Sequence, residues 1–247
     1  MTLPNFLILG ECKCGTTSLY YDLIQHPRIN RAIGNQESRE TRDGQTLGEK
    51  EIRFFDKSYF KGLSWYKSCF PKLGSGEITG EASPTYLYRT QALQRIYNTF
   101  GNDIKLIVCL RNPVERLISH YSHIKEIVDK WSIRYPTFES FWESVQEHDY
   151  YIIEKGIYWK SLYMLYEYFN PEIIKVIKSE DLFDHTQKTC TDIFKFLGLE
   201  DAHVRQQKLR STTIDKKTIH PNIIKEITEF YAPFNEKLNE FGLDIKW

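Results

Sequence analysis

Apolar positions follow two rhythms along this chain. Short runs that are apolar at nearly every position predict buried strands. One is Phe6 to Leu9, bounded by Pro4 and Gly10; a second is Ile104 to Leu110 in "DIKLIVCLRNP"; a third lies in "EIIKVIKSEDL". "GEITGEASPTYL" predicts a strand and turn, and "KEIRFFD" (Lys50 to Asp56) a short extended segment. Helical spacing fills the intervals. Thr16 to Gln25 carries Leu19, Leu23 and Ile24 on one face and ends at His26-Pro27. Pro113 opens a helix bearing Val114, Leu117, Ile118 and Tyr121. Thr137 to Glu147 and Tyr158 to Phe169 read as helices, as does "TCTDIFKFLGL", which Gly198 closes. Ile223 to Phe241 is amphipathic, with Pro233 as its expected break. Arg31 to Lys50 is polar, holds three glycines and has no periodicity, so it reads as a long loop. Strands alternating with helices predict an α/β fold: a central parallel sheet flanked by helices, in a single domain over residues 1–247.

Composition narrows the partners. The 33 basic and 33 acidic side chains cancel, which gives no support for nucleic acid or an anionic membrane as the main partner. No run of about 18 apolar residues predicts a membrane span. "MTLPNFLILG" has neither a basic start nor a small-residue cleavage site, so the expectation is a cytoplasmic protein. The scattered cysteines (Cys12, Cys14, Cys69, Cys109, Cys190) fit reduced thiols. His120 and His123 are spaced i, i+3 with no third ligand in the pattern, so no metal is expected. Nothing in the sequence speaks to oligomeric state.

The candidate chemistry begins after the first strand, in "FLILGECKCGTTSLYYDL". Ligands of open parallel sheets bind at the carboxyl ends of strands. Here Gly15 allows close backbone approach, the helix start offers free N–H groups, Thr16, Thr17 and Ser18 add hydroxyls, and Lys13 adds charge. That is a phosphate-binding loop. Gly10 and Gly15 have the spacing of the nucleoside-triphosphate loop, but Thr16 stands where its lysine belongs. The second strand ends in Arg111 rather than in a magnesium-binding acid. Arg111 can grip a phosphate bidentately, and Ser119, eight residues on, can donate a hydroxyl. The ligand therefore carries two separate phosphate-like groups and needs no metal. The competing readings are a strand-to-helix turn capped by Thr16 and an Arg111–Glu115 ion pair.

Taken in order, these segments resemble the sulfotransferases that use 3′-phosphoadenosine 5′-phosphosulfate (PAPS), of the heparan-sulfate type and its stand-alone bacterial relatives. "LGECKCGTTSLYYDLIQHPRI" is similar to the family's 5′-phosphosulfate loop, "LRNPVERLISHYSH" to its 3′-phosphate motif, and "KEIRFFD" to the segment that supplies its catalytic glutamate. "GEASPTYL", "GIYWKSL", "KSEDL", "FKFLGL" and "FYAPFNEKLNEF" match further family segments in the same order. The resemblance implies a P-loop-like fold, PAPS as donor, adenosine 3′,5′-bisphosphate (PAP) as product, and roles for the matching residues. Lys13 would stabilise charge on the bridging oxygen. Cys14, Gly15, Thr16, Thr17 and Ser18 would hold the 5′-phosphate, and Arg111 and Ser119 the 3′-phosphate. Glu51 would take the acceptor proton, with Asp56 the next candidate base. Lys216 and Lys217 would lie over the nucleotide, and Arg53, Asp56, Tyr86 and Tyr158 near the acceptor. The chain departs from the family pattern in Glu11-Cys12 before the lysine, Arg53 where histidine is frequent, Thr218 at an arginine position, and the length of the 31–50 loop. That loop is expected to border the acceptor pocket, with Glu37 and Glu40 suited to a cationic acceptor. The acceptor read first is a small polar metabolite or natural product, an alkaloid for example, sulfated on oxygen or nitrogen. A glycan hydroxyl is the alternative. A P-loop nucleotide kinase and a non-catalytic nucleotide-binding module are the rivals from other classes.

Overall fold

A computed structural model of the chain describes residues 2–34, 39–40, 46–47, 50–127, 135–207 and 214–247, with backbone only at 39–40, 46–47 and 127. In chain order the elements are β1 (Phe6–Gly10), α1 (Thr16–Leu23), β2 (Ile29–Asn30), β3 (Arg39–Glu40) and β4 (Thr46–Leu47). A π-helical turn (Phe54–Ser58) and a 3-10 turn (Tyr59–Lys61) then lead into α2 (Gly62–Ser68), β5 (Ile78–Ala82), α3 (Thr90–Phe100) and β6 (Lys105–Leu110). Next come α4 (Pro113–Ile127), α5 (Phe138–Glu147), α6 (Tyr151–Glu154), α7 (Tyr158–Tyr168), β7 (Ile174–Lys178), α8 (Ser179–Asp184) and α9 (Thr186–Phe196). The 3-10 turn Lys216–Thr218, α10 (Pro221–Glu236) and the 3-10 turn Lys237–Phe241 end the chain.

The chain divides into two compact units, residues 1–110 with 164–209, and residues 111–163 with 210–247. The first holds a five-stranded sheet in the order β2-β5-β1-β6-β7, and every pairing within it is parallel. β1 lies in the middle and all five of its residues are buried, which is why its sequence is apolar at every position instead of alternating. Gly80 of β5 is required there, since a Cβ at that position would stand 2.6 Å from the Phe6 ring. The second unit is built on α4, α5, α6 and α10 around a core of Leu117, Tyr121, Phe141, Trp142, Ile153, Ile227 and Tyr231. Burying side chains of this size stabilises by about 1.5–3 kcal/mol each. The Arg116 guanidinium, wholly buried in this unit, donates to the Ile152 carbonyl at 2.6 Å, and the Tyr231 hydroxyl donates to the Ile153 carbonyl at 2.9 Å.

Three sequence expectations need correction. "KEIRFFD" is not extended throughout: Arg53 takes a left-handed conformation (φ 54°), and from Phe54 the chain winds into the π-helical turn. Burial of Phe54 and Phe55 against Tyr66 overrides the local pattern. Pro233 does not break the last helix: it is exposed within α10, where a carbonyl left without its N–H partner faces solvent at little cost. The 31–50 segment is not structureless, since β3 and β4 pair antiparallel within it. Glu37 and the side chain of Glu40 lie outside the described residues. All five cysteines are free, Cys12 half-buried and the other four buried. No described helix is long and apolar enough to cross a membrane.

Candidate active site

The phosphate-type loop leaves β1 at Gly10 and turns sharply before α1. Lys13 (φ 71°) and Gly15 (φ 79°) both adopt left-handed conformations. At Gly15 only glycine fits, since a Cβ would lie 2.9 Å from the Phe183 ring. Backbone bonds fix the turn: Glu11 N–H donates to the Cys109 carbonyl at 2.8 Å, and Cys14 N–H to the Glu11 carbonyl at 3.1 Å. The Ser179 hydroxyl lies 2.7 Å from the Cys14 carbonyl and 3.0 Å from that of Leu110, bridging loop and sheet. Gly15 is the N-cap of α1, so Thr16, Thr17 and Ser18 form its first turn, where N–H groups have no intrahelical acceptor. Lys13 and Thr17 are half-buried, and Thr16 and Ser18 are buried. The Glu11 carboxylate, buried in this loop, accepts from Cys12 N–H at 2.6 Å.

The segment carrying Glu51 reaches the neighbouring strand end. β5 lies parallel beside β1, with Ile8 opposite Ala82. Ala82 N–H donates to the Lys50 carbonyl at 2.8 Å, and Leu87 N–H to that of Leu9 at 3.0 Å. Lys13 thus follows the carboxyl end of β1, and the Glu51 segment is bonded to the carboxyl end of β5 beside it. Glu51 keeps about a third of its side chain exposed (31%), while the amine of Lys50, nearly sealed from water, donates to its Oε1 at 2.6 Å. The cation on Glu51 is therefore Lys50. Arg53 instead pairs with Asp56 at 2.5 Å, an interaction that holds its guanidinium above its ordinary pKa against the opposing effect of burial.

Asp56 and Tyr86 are engaged in buried hydrogen bonds within the first unit. The Asp56 carboxylate is wholly buried and also accepts from the Thr85 hydroxyl at 2.7 Å. Tyr86 is buried and donates to Glu81 at 3.1 Å. Tyr158, buried in the second unit, donates to the Arg111 backbone carbonyl at 2.8 Å.

In the second unit Arg111 opens onto α4, with Ser119 two turns along. Arg111 lies 3.6 Å from Glu115, and Lys216 also pairs with Glu115, so two cations from distant parts of the sequence share one carboxylate. Burial, with the Arg111 charge second, holds the Lys216 amine below its ordinary pKa. Lys217 is exposed in the adjoining turn. Sequence reasoning treated Glu115 only as a partner of Arg111 and did not assign Glu81, Ser83 or Ser179. A carboxylate inside the otherwise small and apolar "ITGEA" was the available signal for Glu81. No group of three or more metal-ligating side chains is present among the described residues.

A parallel α/β sheet with a phosphate-type loop after its central strand is the architecture of P-loop-like proteins. The chain belongs to the sulfotransferase domain family, whose model matches residues 3–237. It is 30% identical over 270 residues to human heparan sulfate glucosamine 3-O-sulfotransferase 3B1, covering 99% of this chain and 65% of that protein. Against the human 3A1 enzyme the identity is also 30%, covering 99% of this chain and 62% of the relative. The chain thus spans less than two thirds of the length of these curated relatives. Among solved structures, a sulfotransferase from Alicyclobacillus acidocaldarius superposes with a TM-score of 0.72 at 24% identity, covering 98% of this chain and 96% of that one. The mouse sulfotransferase SULT7A1 complexed with PAP gives 0.54 at 14% identity, covering 94% and 84%. These two likenesses establish the fold.

Proposed function

We propose that the protein transfers the sulfuryl group of PAPS to an acceptor hydroxyl. The observation that carries the reading is the delivery of Lys13 and Glu51 to adjacent strand ends. Sulfuryl transfer asks for positioning and charge stabilisation more than for covalent chemistry on the enzyme. The acceptor oxygen forms a bond to sulfur as the bond from sulfur to the bridging oxygen breaks. Glu51 removes the acceptor proton, and Lys13 stabilises the charge arriving on the 5′-phosphate of the departing PAP. The α1 first turn holds that 5′-phosphate. Arg111 and Ser119, with Lys216 and Lys217 near them in the sequence-based assignment, take the 3′-phosphate. The residues 1–247 work as one sulfotransferase domain on this reading, without a metal.

Acceptor identity rests on less. A small metabolite, such as an alkaloid, was the first expectation. Similarity over 99% of the chain to proteins named as glucosamine 3-O-sulfotransferases favours a carbohydrate hydroxyl instead. Radiolabelled PAPS offered to heparan sulfate oligosaccharides and to small alcohols and amines tests this. Label on the oligosaccharide is expected; transfer only to small alcohols or amines restores the metabolite reading. Tight binding of magnesium–ATP with no affinity for PAP would instead indicate a nucleotide kinase.

A further inference from the structure

The Glu81 carboxylate is wholly buried near the end of β5 and no step above uses it. Leaving an ionisable group in such a place costs stability unless hydrogen bonds compensate. Four donors converge on it. Ser83 Oγ–H reaches Oε2 at 2.6 Å and Ile52 N–H reaches the same oxygen at 3.2 Å. The Tyr66 and Tyr86 hydroxyls reach Oε1 at 2.7 and 3.1 Å. Two of these donors pass the connection on: Arg53 N–H donates to Ser83 Oγ at 3.0 Å, and Phe55 N–H to the Tyr86 hydroxyl at 3.3 Å.

Glu81 therefore grips the backbone of the Glu51 segment at three points, directly at Ile52 and through one hydroxyl each at Arg53 and Phe55. That segment needs an external grip, because Arg53 is left-handed and the turn after it is π-helical. A carboxylate offers two oxygens with room for all four donors, whereas an amide offers one acceptor oxygen. Burial pushes the Glu81 carboxyl up to about 7, opposed by the bonds from Ser83, Tyr66, Tyr86 and Ile52.

We propose that Glu81 is a positioning residue for sulfuryl transfer, holding the backbone around Glu51 so that the base meets the acceptor hydroxyl. The proposal rests on the reading of Glu51 as base, and the test separates the two. Full-length Glu81→Gln is compared with wild type for the PAP-induced shift in melting temperature and for kcat and acceptor KM. Turnover uses labelled PAPS with a heparan sulfate oligosaccharide, or water as acceptor if the oligosaccharide is not used. Glu81→Gln is expected to lower kcat by at least about 10-fold, within the share of rate a positioned base supplies, and to preserve the PAP shift. In a Glu51→Gln background the same change is expected to cost little more, because residues acting through one another are not additive. Turnover within twofold of wild type, loss of the PAP shift in parallel, or a full additional loss in the Glu51→Gln background would each overturn the proposal. Near-normal turnover of Glu51→Gln alone is the separate signature of a wrong base, and it removes the proposal with it. If Glu81→Gln does not fold, Ser83→Ala, which cuts the Arg53 link, is read by the same criteria.

Discussion

Glu51 keeps partial access to solvent, and the Lys50 amine fixes one of its oxygens in place. On the proposed reading the acceptor proton goes to this carboxylate. Glu51→Gln keeps the shape and removes the base, so turnover should fall at least about 100-fold while PAP binding is retained. Single-turnover kinetics alongside a PAP titration checks both halves. Lys13 and Arg111 should separate in the same assays. Charge on the bridging oxygen exists mainly in the transition state, so Lys13→Ala should depress kcat far more than donor affinity. Arg111 is assigned to a phosphate that does not react, so Arg111→Ala should weaken PAP binding by about 10- to 100-fold, the loss expected for a charge-assisted contact. A Lys13→Ala variant that raised only the donor KM would contradict its assigned role.

At the scale of elements, the loop between β1 and α1 depends on left-handed backbone at Lys13 and Gly15. Gly15→Ala would meet both the φ penalty, about 1–2 kcal/mol, and the Phe183 ring. Expected outcomes are a lower melting temperature and loss of the PAP shift; calorimetric titration showing normal PAP affinity would mean that the loop does not need this turn. The same element scale shows what the sequence made legible. β1 and β6 stood out because strands buried on both faces are apolar at nearly every position, β7 by its β-branched Ile and Val, and α4 because Pro113 marks its first turn. β2 escaped notice, since two residues carry no period. The π-helical turn was illegible because its cause is Tyr66, eleven residues beyond Phe55 in sequence and stacked on Phe54 at 4.4 Å. The phosphate-type loop was readable as a local motif, whereas the Glu81 grip joins residues about thirty positions apart and becomes visible only in three dimensions.

For the whole molecule, PAP should raise the melting temperature in the presence of chelator, because a ligand bound only by the native state stabilises it by mass action. No shift at saturating PAP would sink the donor assignment. Stability should also carry a pH signature from Asp22 of α1, which is buried and accepts from Gln207 N–H at 2.8 Å. Burial lifts its carboxyl from 3.8 to about 6 despite that bond. A raised native pKa means that the native state holds the proton more tightly than the unfolded chain. This contribution is complete below pH 3.8 and is lost as pH rises through about 6, a change of at most about 3 kcal/mol. Asp22→Asn keeps an acceptor for Gln207 and removes the titration. Melting curves from pH 4 to 8 should show the variant gaining on wild type across that interval, and parallel curves would refute the account.

The strand order has a consequence for how such an enzyme diversifies. β2 and β5 both lie on one side of β1, and the Glu51 segment is bonded to β5, so that whole flank is encoded without interruption between residues 29 and 82. The phosphate loop precedes it in the chain. On the proposed reading the acceptor's base travels within this contiguous stretch, and recombination of it would exchange the Glu51 segment while leaving Lys13 and Arg111 in the recipient's own sequence.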